Sequence, residues 1–186
     1  VQAVISLSSD EDVVQVDREM AYYKRFNKAK VPGIAKLRFY TDITGLKAAK
    51  QDYVHFAKES AHEFETFKMA AFDKYNGSLD QKPKCTDEQK RKICKDVVDA
   101  MAEIHAQKVI HGDVKTENIL YKIESDGSLT IGVIDFGLSF DEKGKKTIFP
   151  EYTYAAGEYG TLFATAPELF ENKKYDGDPY KAEVWA

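Results

Sequence analysis

Hydrophobic residues recur along the first part of the chain with two different spacings, which predict two kinds of element. Residues 1–7 are rich in valine, isoleucine and leucine and predict a short strand. From residue 13 to about residue 28, apolar residues return every three or four positions, as they do on one face of a helix. These positions are Val16, Met20, Tyr23 and Phe26. Pro32 and Gly33 then interrupt the chain, and residues 34–43 predict a second strand.

The pattern is ambiguous between residues 44 and 72. Residues 48–61 are compatible with a helix, whereas alternation at Tyr53 and His55, and again at Phe64 and Thr66, is typical of strands. We expect strands at both ends of this segment.

A second long helix has a clear start signal. Thr86 is followed three residues later by Gln89, the pairing found in a capping box. The predicted helix extends to about residue 107. Its apolar face consists of Ile93, Val97, Met101 and Ile104.

Shorter elements follow this helix. Residues 109–120 predict a strand, a loop and a second strand. Residues 119–123 and 129–134 flank the dipeptide Asp126-Gly127, which is typical of a β-hairpin turn. A long loop is expected from residue 137 to about residue 165.

Composition excludes several classes of protein. The chain has 186 residues, of which 43% are hydrophobic, so it is long enough for a substantial core. Its net charge of −4 argues against a nucleic-acid-binding surface. The two cysteines, Cys85 and Cys94, match neither a redox motif nor a zinc site. No apolar run reaches the roughly 18 residues of a membrane span, and we expect a cytoplasmic protein.

The chemistry is concentrated between residues 111 and 137. Asp113 lies in a predicted loop between two strands, where a carboxylate can accept a hydrogen bond from an incoming hydroxyl. Lys115 can neutralise charge that develops on a transferred phosphoryl group. Asn118 and Asp135 offer an amide oxygen and a carboxylate, ligands that suit Mg²⁺. Gly137 allows a sharp backbone turn directly after Asp135.

These residues resemble the catalytic and metal-binding loops of the protein kinase superfamily. The resemblance extends along nearly the whole chain. Residues 160–168 are similar to the end of a kinase activation segment, and residues 181–186 to the start of helix F, with Glu183 in place of the usual aspartate. Residues 18–23 and 31–37 are similar to helix C and the segment after it, and residues 72–79 to the hinge.

The resemblance implies an α+β, two-lobed protein kinase-like fold. Residues 1–71 would form an incomplete β-rich N-lobe, and residues 72–186 a mostly helical C-lobe that stops after the start of helix F. It also implies ATP and Mg²⁺ as cofactors, with Asp113 and Lys115 as catalytic residues and Asn118 and Asp135 as metal ligands. The implied nucleotide-binding residues are Ser6, Glu19, Ala71 and Asp73. Ala71 would occupy the gatekeeper position and Glu19 that of the helix C glutamate.

Two departures from the family bear on activity. Ser6 occupies the position of the lysine that contacts the ATP phosphates, and the first lysine in the chain is Lys24. Glu19 would therefore lack its usual cationic partner, and the rate of transfer would fall. Gly112 replaces the arginine that binds a phosphate on the activation segment, which implies a site independent of such phosphorylation.

Three function classes follow. The first is a Ser/Thr protein kinase acting on protein hydroxyls, which Lys115 favours over a tyrosine kinase by resemblance. Its partners would be ATP, a protein substrate and a regulatory protein, in the cytoplasm or, for a secreted bacterial effector, the host cytoplasm. The second is a small-molecule kinase of the aminoglycoside or choline type. The third is a pseudokinase that acts by binding.

Overall fold

A computed structural model describes residues 2–7, 10–43, 67–141, 166–167 and 179–186. The first part contains one helix and three strands. They are β1 (Gln2–Leu7), α1 (Asp10–Ala29), β2 (Leu37–Ile43) and β3 (Phe67–Phe72). None of the helices in these ranges combines the length and apolarity that a bilayer crossing requires.

The second part is built around one long helix and short antiparallel strands. Its elements are β4 (Gly77–Ser78), α2 (Asp87–Ala106), β5 (Val109–Ile110), β6 (Ile119–Ile123), β7 (Leu129–Val133), β8 (Phe140–Asp141) and α3 (Pro179–Val184). Single 3₁₀ turns, Leu79–Gln81 and Thr116–Asn118, follow β4 and precede β6.

Helix α2 confirms the predicted capping box. The Thr86 hydroxyl accepts from the Gln89 N–H at 3.2 Å, and the Gln89 side chain accepts from the Thr86 N–H at 2.9 Å. Two of the free N–H groups at the start of the helix thereby find partners. The predicted apolar face is also confirmed, because Ile93 and Ile104 are buried and Val97 and Met101 pack partly buried against the core.

The N-terminal sheet has the strand order β1-β3-β2 and is antiparallel throughout. In the β1–β3 register, Ser6 is the partner of Lys68 and Val4 the partner of Ala70. The predicted hairpin of β6 and β7 is confirmed. Gly127 in its turn has φ +79°, a conformation that favours glycine.

The predicted strand over residues 34–43 is wrong in its first part. Residues 33–35 instead bond to β7: the Val133 N–H donates to the Gly33 carbonyl at 2.8 Å, and the Ala35 N–H donates to the Val133 carbonyl at 3.0 Å. Gly33 has φ +72°, and a Cβ there would lie 2.6 Å from that of Ala100 in α2. This close approach connects the sheet region to the helical part.

One hydrophobic core runs through both parts. It includes Tyr23 and Phe26 of α1, Ile104 of α2 and Phe136, each at most 2% exposed. The predicted α+β architecture is observed: a part with three strands and α1 and a part built around α2 share this core. The ambiguous residues Tyr53, His55, Phe64 and Thr66 lie outside the described residues, and so does most of the predicted long loop.

Candidate active site

The loop that carries Asp113 is fixed through His111, which is fully buried. The Nδ1 atom of His111 accepts from the Asp113 N–H at 3.2 Å, while Nε2 lies 2.9 Å from the Ile134 carbonyl oxygen. One ring nitrogen therefore accepts and the other donates, which is the pattern of a neutral imidazole. The buried Ser139 hydroxyl donates to the His111 carbonyl at 2.8 Å. These bonds join the Asp113 loop to both sides of the Asp135 loop.

Asp113, Lys115 and Asn118 form one hydrogen-bonded cluster. The Lys115 ammonium lies 2.6 Å from Asp113 Oδ2. Asn118 Nδ2 donates to the same oxygen at 3.0 Å and to the Asp113 carbonyl at 2.9 Å. The bond to Asp113 raises the pKa of Lys115, and the charge of Asp135 adds to this effect. Because the amide nitrogen of Asn118 is committed to Asp113, its oxygen is the atom suited to a metal.

Gly112 has a backbone conformation that explains the absence of a side chain. Its φ is +84°, and a Cβ there would lie 2.7 Å from the Leu138 carbonyl oxygen. The Gly112 N–H donates to Glu183 Oε1 at 2.6 Å, and Glu183 Oε2 lies 2.6 Å from His105 Nε2. Glu183 thus supports the backbone next to Asp113. The sequence marks Glu183 only as a departure from the family, and no local pattern signals its contacts with Gly112 and His105, which lie 71 and 78 residues away.

Asp135 is held in an unusual backbone conformation beside a buried aromatic ring. Its φ is +69°, in the left-handed region that few residues other than glycine adopt. The next residue, Phe136, is fully buried. Its ring centroid lies 5.0 Å from that of Tyr23, 4.9 Å from that of Phe26 and 4.9 Å from that of His111.

Helix α1 makes hydrogen bonds to the first and last residues of the 135–137 loop. The Asp135 N–H donates to the Tyr23 hydroxyl oxygen at 3.0 Å. Between them, the Phe136 N–H lowers the pKa of Glu19. Arg18 Nη2 donates to the Gly137 carbonyl at 2.7 Å. Sequence reasoning assigned Tyr23 only to the helix face, although its position four residues after Glu19 placed both on one side of the helix.

Glu19 is a partly buried carboxylate close to a second carboxylate. Burial raises its pKa from 4.5 to about 7, the Asp135 charge adds to the rise, and the Phe136 N–H opposes it. Among the described side chains, no cation contributes to the pKa of Glu19.

A cavity of about 570 Å³ lies beside these residues. Its volume is in the range of small-molecule sites. Apolar side chains and the three carboxylates Glu19, Asp73 and Asp135 line it. The apolar residues include Ala70, Phe72 and Leu120. Asp113, Lys115 and Asn118 are not among the lining residues.

The other predicted nucleotide-binding residues lie in different places. Asp73 lines the cavity, but its carboxylate bonds to Arg38 Nη2 at 2.7 Å, and this pairing lowers the pKa of Asp73. Ala71 is fully buried and is not a lining residue, because side chains alternate across a strand and its neighbours Ala70 and Phe72 face the cavity. Ser6 lies in β1, where its backbone pairs with Lys68.

The donor set fits Mg²⁺. No group of three or more His, Cys, Asp or Glu side chains suitable for a metal occurs among the described residues. One amide and one carboxylate are nevertheless appropriate for Mg²⁺, which commonly keeps several waters and takes further ligands from substrate phosphates.

Comparisons with known proteins agree with this geometry. The family model for the protein kinase domain matches residues 4–186. Serine/threonine-protein kinase 10 of Danio rerio is 35% identical over 100 residues, which are 53% of this chain and 9% of that protein. Serine/threonine-protein kinase 10-A of Xenopus laevis is 33% identical over 96 residues, which are 50% of this chain and 9% of that protein.

A solved structure has the same fold. A chain of the yeast RNA Pol II CTD kinase CTDK-1 complex aligns with a TM-score of 0.65 and 18% identity, over 98% of this chain and 51% of that one. The alignments thus span a small part of each curated relative and about half of the structural neighbour. Because the family model matches nearly the entire length of this chain, the chain belongs to the protein kinase domain family.

Proposed function

We propose that this chain is a Ser/Thr protein kinase domain that uses ATP and Mg²⁺. The observation that carries the proposal is the cluster of Asp113, Lys115 and Asn118, in which a cation and an amide both contact one carboxylate. Such a cluster fixes the position of the carboxylate, as transfer to a hydroxyl requires. The similarity to two serine/threonine-protein kinases supports the choice of hydroxyl.

The proposed reaction moves the γ-phosphoryl group of ATP to a serine or threonine. The substrate oxygen forms a bond to the γ-phosphorus while the bond from that phosphorus to the β–γ bridging oxygen breaks, and ADP leaves. Asp113 accepts a hydrogen bond from the attacking hydroxyl and takes its proton. Lys115 places its positive charge beside the transferred group.

Asn118 and Asp135 would bind Mg²⁺, which neutralises phosphate charge when it is bound. The cavity would take the nucleotide. Its apolar residues Ala70, Phe72 and Leu120 offer surfaces for a nucleobase. Asp135 lines the same cavity, and its charge also acts on Lys115 of the catalytic cluster. Asp73 would contribute at the hinge side, with its carboxylate held by Arg38.

Ser6 and Glu19 lower the expected rate. Without a lysine at position 6, the phosphates lose one positive contact, and Glu19 adds negative charge beside Asp135. We expect slow transfer by the natural chain and faster transfer by Ser6→Lys.

The test is transfer of labelled γ-phosphate to a mixed library of Ser- and Thr-containing peptides. Asp113→Ala, made in both the natural and the Ser6→Lys chain, is the matched control. Transfer that depends on Asp113 and increases in Ser6→Lys supports the proposal. If transfer persists in Asp113→Ala, the activity belongs to another site. If no form transfers phosphate, the proposal is wrong.

A pseudokinase is the second candidate, favoured by the raised pKa of Glu19 and the serine at position 6. It predicts nucleotide or protein binding with no transfer in any form.

A small-molecule kinase is distinguished by its acceptor. Mass spectrometry would find the phosphate on an aminoglycoside or choline and not on the peptides.

A further inference from the structure

We propose that Arg18 and Tyr23 are positioning residues that, with Glu19, hold Asp135 in its metal-binding conformation. This role rests on the proposed function in one respect only, the assignment of Asp135 as a metal ligand. The hydrogen bonds themselves are independent of any reaction.

The bonds reach both ends of the 135–137 loop. Tyr23 accepts from the Asp135 N–H at 3.0 Å, and Arg18 donates to the Gly137 carbonyl at 2.7 Å. Between these two residues, the Phe136 N–H lowers the pKa of Glu19. Each bond is made to the backbone, so together they fix the direction of the chain through the loop.

Asp135 needs such support because of its backbone conformation. A non-glycine residue with φ +69° is less stable than in the common regions and persists only where its surroundings determine it. The side chain's own bond, from the Gly137 N–H to Asp135 Oδ1, is long at 3.3 Å. The bonds from α1 therefore contribute much of the support.

Helix α1 is closely packed where it makes these contacts. Tyr23 is 2% exposed, and its ring packs edge-on against Phe72 at 4.8 Å and Phe136 at 5.0 Å. Phe26, one turn further on, is 1% exposed. The Tyr23 hydroxyl thus has little freedom to leave the Asp135 N–H.

The arrangement gives Glu19 a role that needs no lysine. In the resemblance, the helix C glutamate pairs with a lysine of the first strand, and here that position is Ser6. The Phe136 N–H instead acts on the Glu19 carboxylate and lowers its pKa. Helix α1 is thereby joined to the metal loop directly.

The first test is hydrogen–deuterium exchange at the Asp135 amide in the metal-free full chain. Tyr23→Phe keeps the ring and removes the acceptor, and we expect about tenfold faster exchange, as for a hydrogen bond of ordinary strength. Tyr22→Phe removes a hydroxyl from the preceding residue of the same helix and is the control. Equal Asp135 exchange in Tyr23→Phe and the natural chain overturns the proposal.

The second test is Mn²⁺ binding in the presence of a non-hydrolysable ATP analogue, followed by electron paramagnetic resonance. We expect Arg18→Met and Tyr23→Phe each to weaken Mn²⁺ binding about tenfold. This is the lower end of the loss in metal affinity that follows the removal of a residue that orients a metal ligand. Arg18→Lys, which keeps a donor, should recover part of the loss.

Arg25→Met is the control for Arg18. Arg25 also belongs to α1 and also donates to a backbone carbonyl, but that carbonyl belongs to Gln107. Equal Mn²⁺ affinity in Arg18→Met and Arg25→Met overturns the role of Arg18. If Mn²⁺ binds but neither the natural chain nor Ser6→Lys transfers phosphate, the proposed kinase activity is removed, and the comparison of variants still decides the positioning role.

Discussion

Glu19→Gln should make the protein more stable, and the gain should grow with pH. The substitution removes a charge that burial and Asp135 disfavour, while the glutamine oxygen can still accept from the Phe136 N–H. A rise in pKa from 4.5 to about 7 corresponds to about 3 kcal/mol, at about 1.4 kcal/mol for each tenfold change in proton affinity. This is the largest gain expected.

The sign follows from the direction of the shift. Below pH 4.5, Glu19 is protonated in the folded and unfolded states, and its ionisation costs nothing. Between 4.5 and about 7, the unfolded state releases the proton first, so the stability of the natural protein falls as pH rises. We expect the free energy of unfolding of Glu19→Gln to exceed that of the natural protein by about 1 kcal/mol at pH 5 and about 3 kcal/mol at pH 8.

The assay is urea unfolding with EDTA at pH 5, 6, 7 and 8. Glu124→Gln is the contrasting control, because Lys122 and Thr130 lower the pKa of this exposed carboxyl and the change should have the opposite sign. A difference between Glu19→Gln and the natural protein that stays constant with pH would refute the reasoning. So would a less stable variant at pH 8.

Three further substitutions test the site and the fold. In Gly112→Ala, a residue with φ +84° would carry a Cβ only 2.7 Å from the Leu138 carbonyl oxygen. The free energy of unfolding in urea should therefore fall by about 1–3 kcal/mol. A fall of less than about 0.5 kcal/mol would contradict this. Glu183→Ala leaves the Gly112 N–H and His105 without their acceptor and displaces the Asp113 loop. We expect kcat to fall about 10²-fold in steady-state kinetics with little change in peptide KM, whereas an unchanged kcat would exclude the supporting role. Thr86→Ala removes the helix cap and should cost about 1 kcal/mol in thermal unfolding without changing transfer activity.

The parts of the fold that sequence predicted are those with local signals. Thr86 and Gln89 lie three residues apart and form the cap that their spacing predicts. Asp126 and Gly127 occupy the turn of the hairpin. In such cases the interacting groups are close in sequence, so propensity and spacing determine the outcome.

The parts that sequence did not predict depend on distant contacts. The strand predicted from residue 34 begins only at Leu37, because the backbone at Gly33 and Ala35 bonds to Val133 about a hundred residues later. The hinge resemblance locates Ala71 along the chain but not the face of β3 on which it lies, because the pleat decides that Ala70 and Phe72 line the cavity. The bond from Asp135 to Tyr23 likewise joins residues 112 positions apart.

The register of β1 against β3 has a consequence for the electrostatics of the N-terminal sheet. Position 6 is the cross-strand partner of Lys68. Like charges at directly opposite positions of an antiparallel pair repel, so a lysine introduced at position 6 would meet an existing one across the ladder. Ser6→Lys should therefore be compared with Ser6→Lys combined with Lys68→Met. The β1 position that we propose for the family's lysine is thus the register partner of a basic residue of β3.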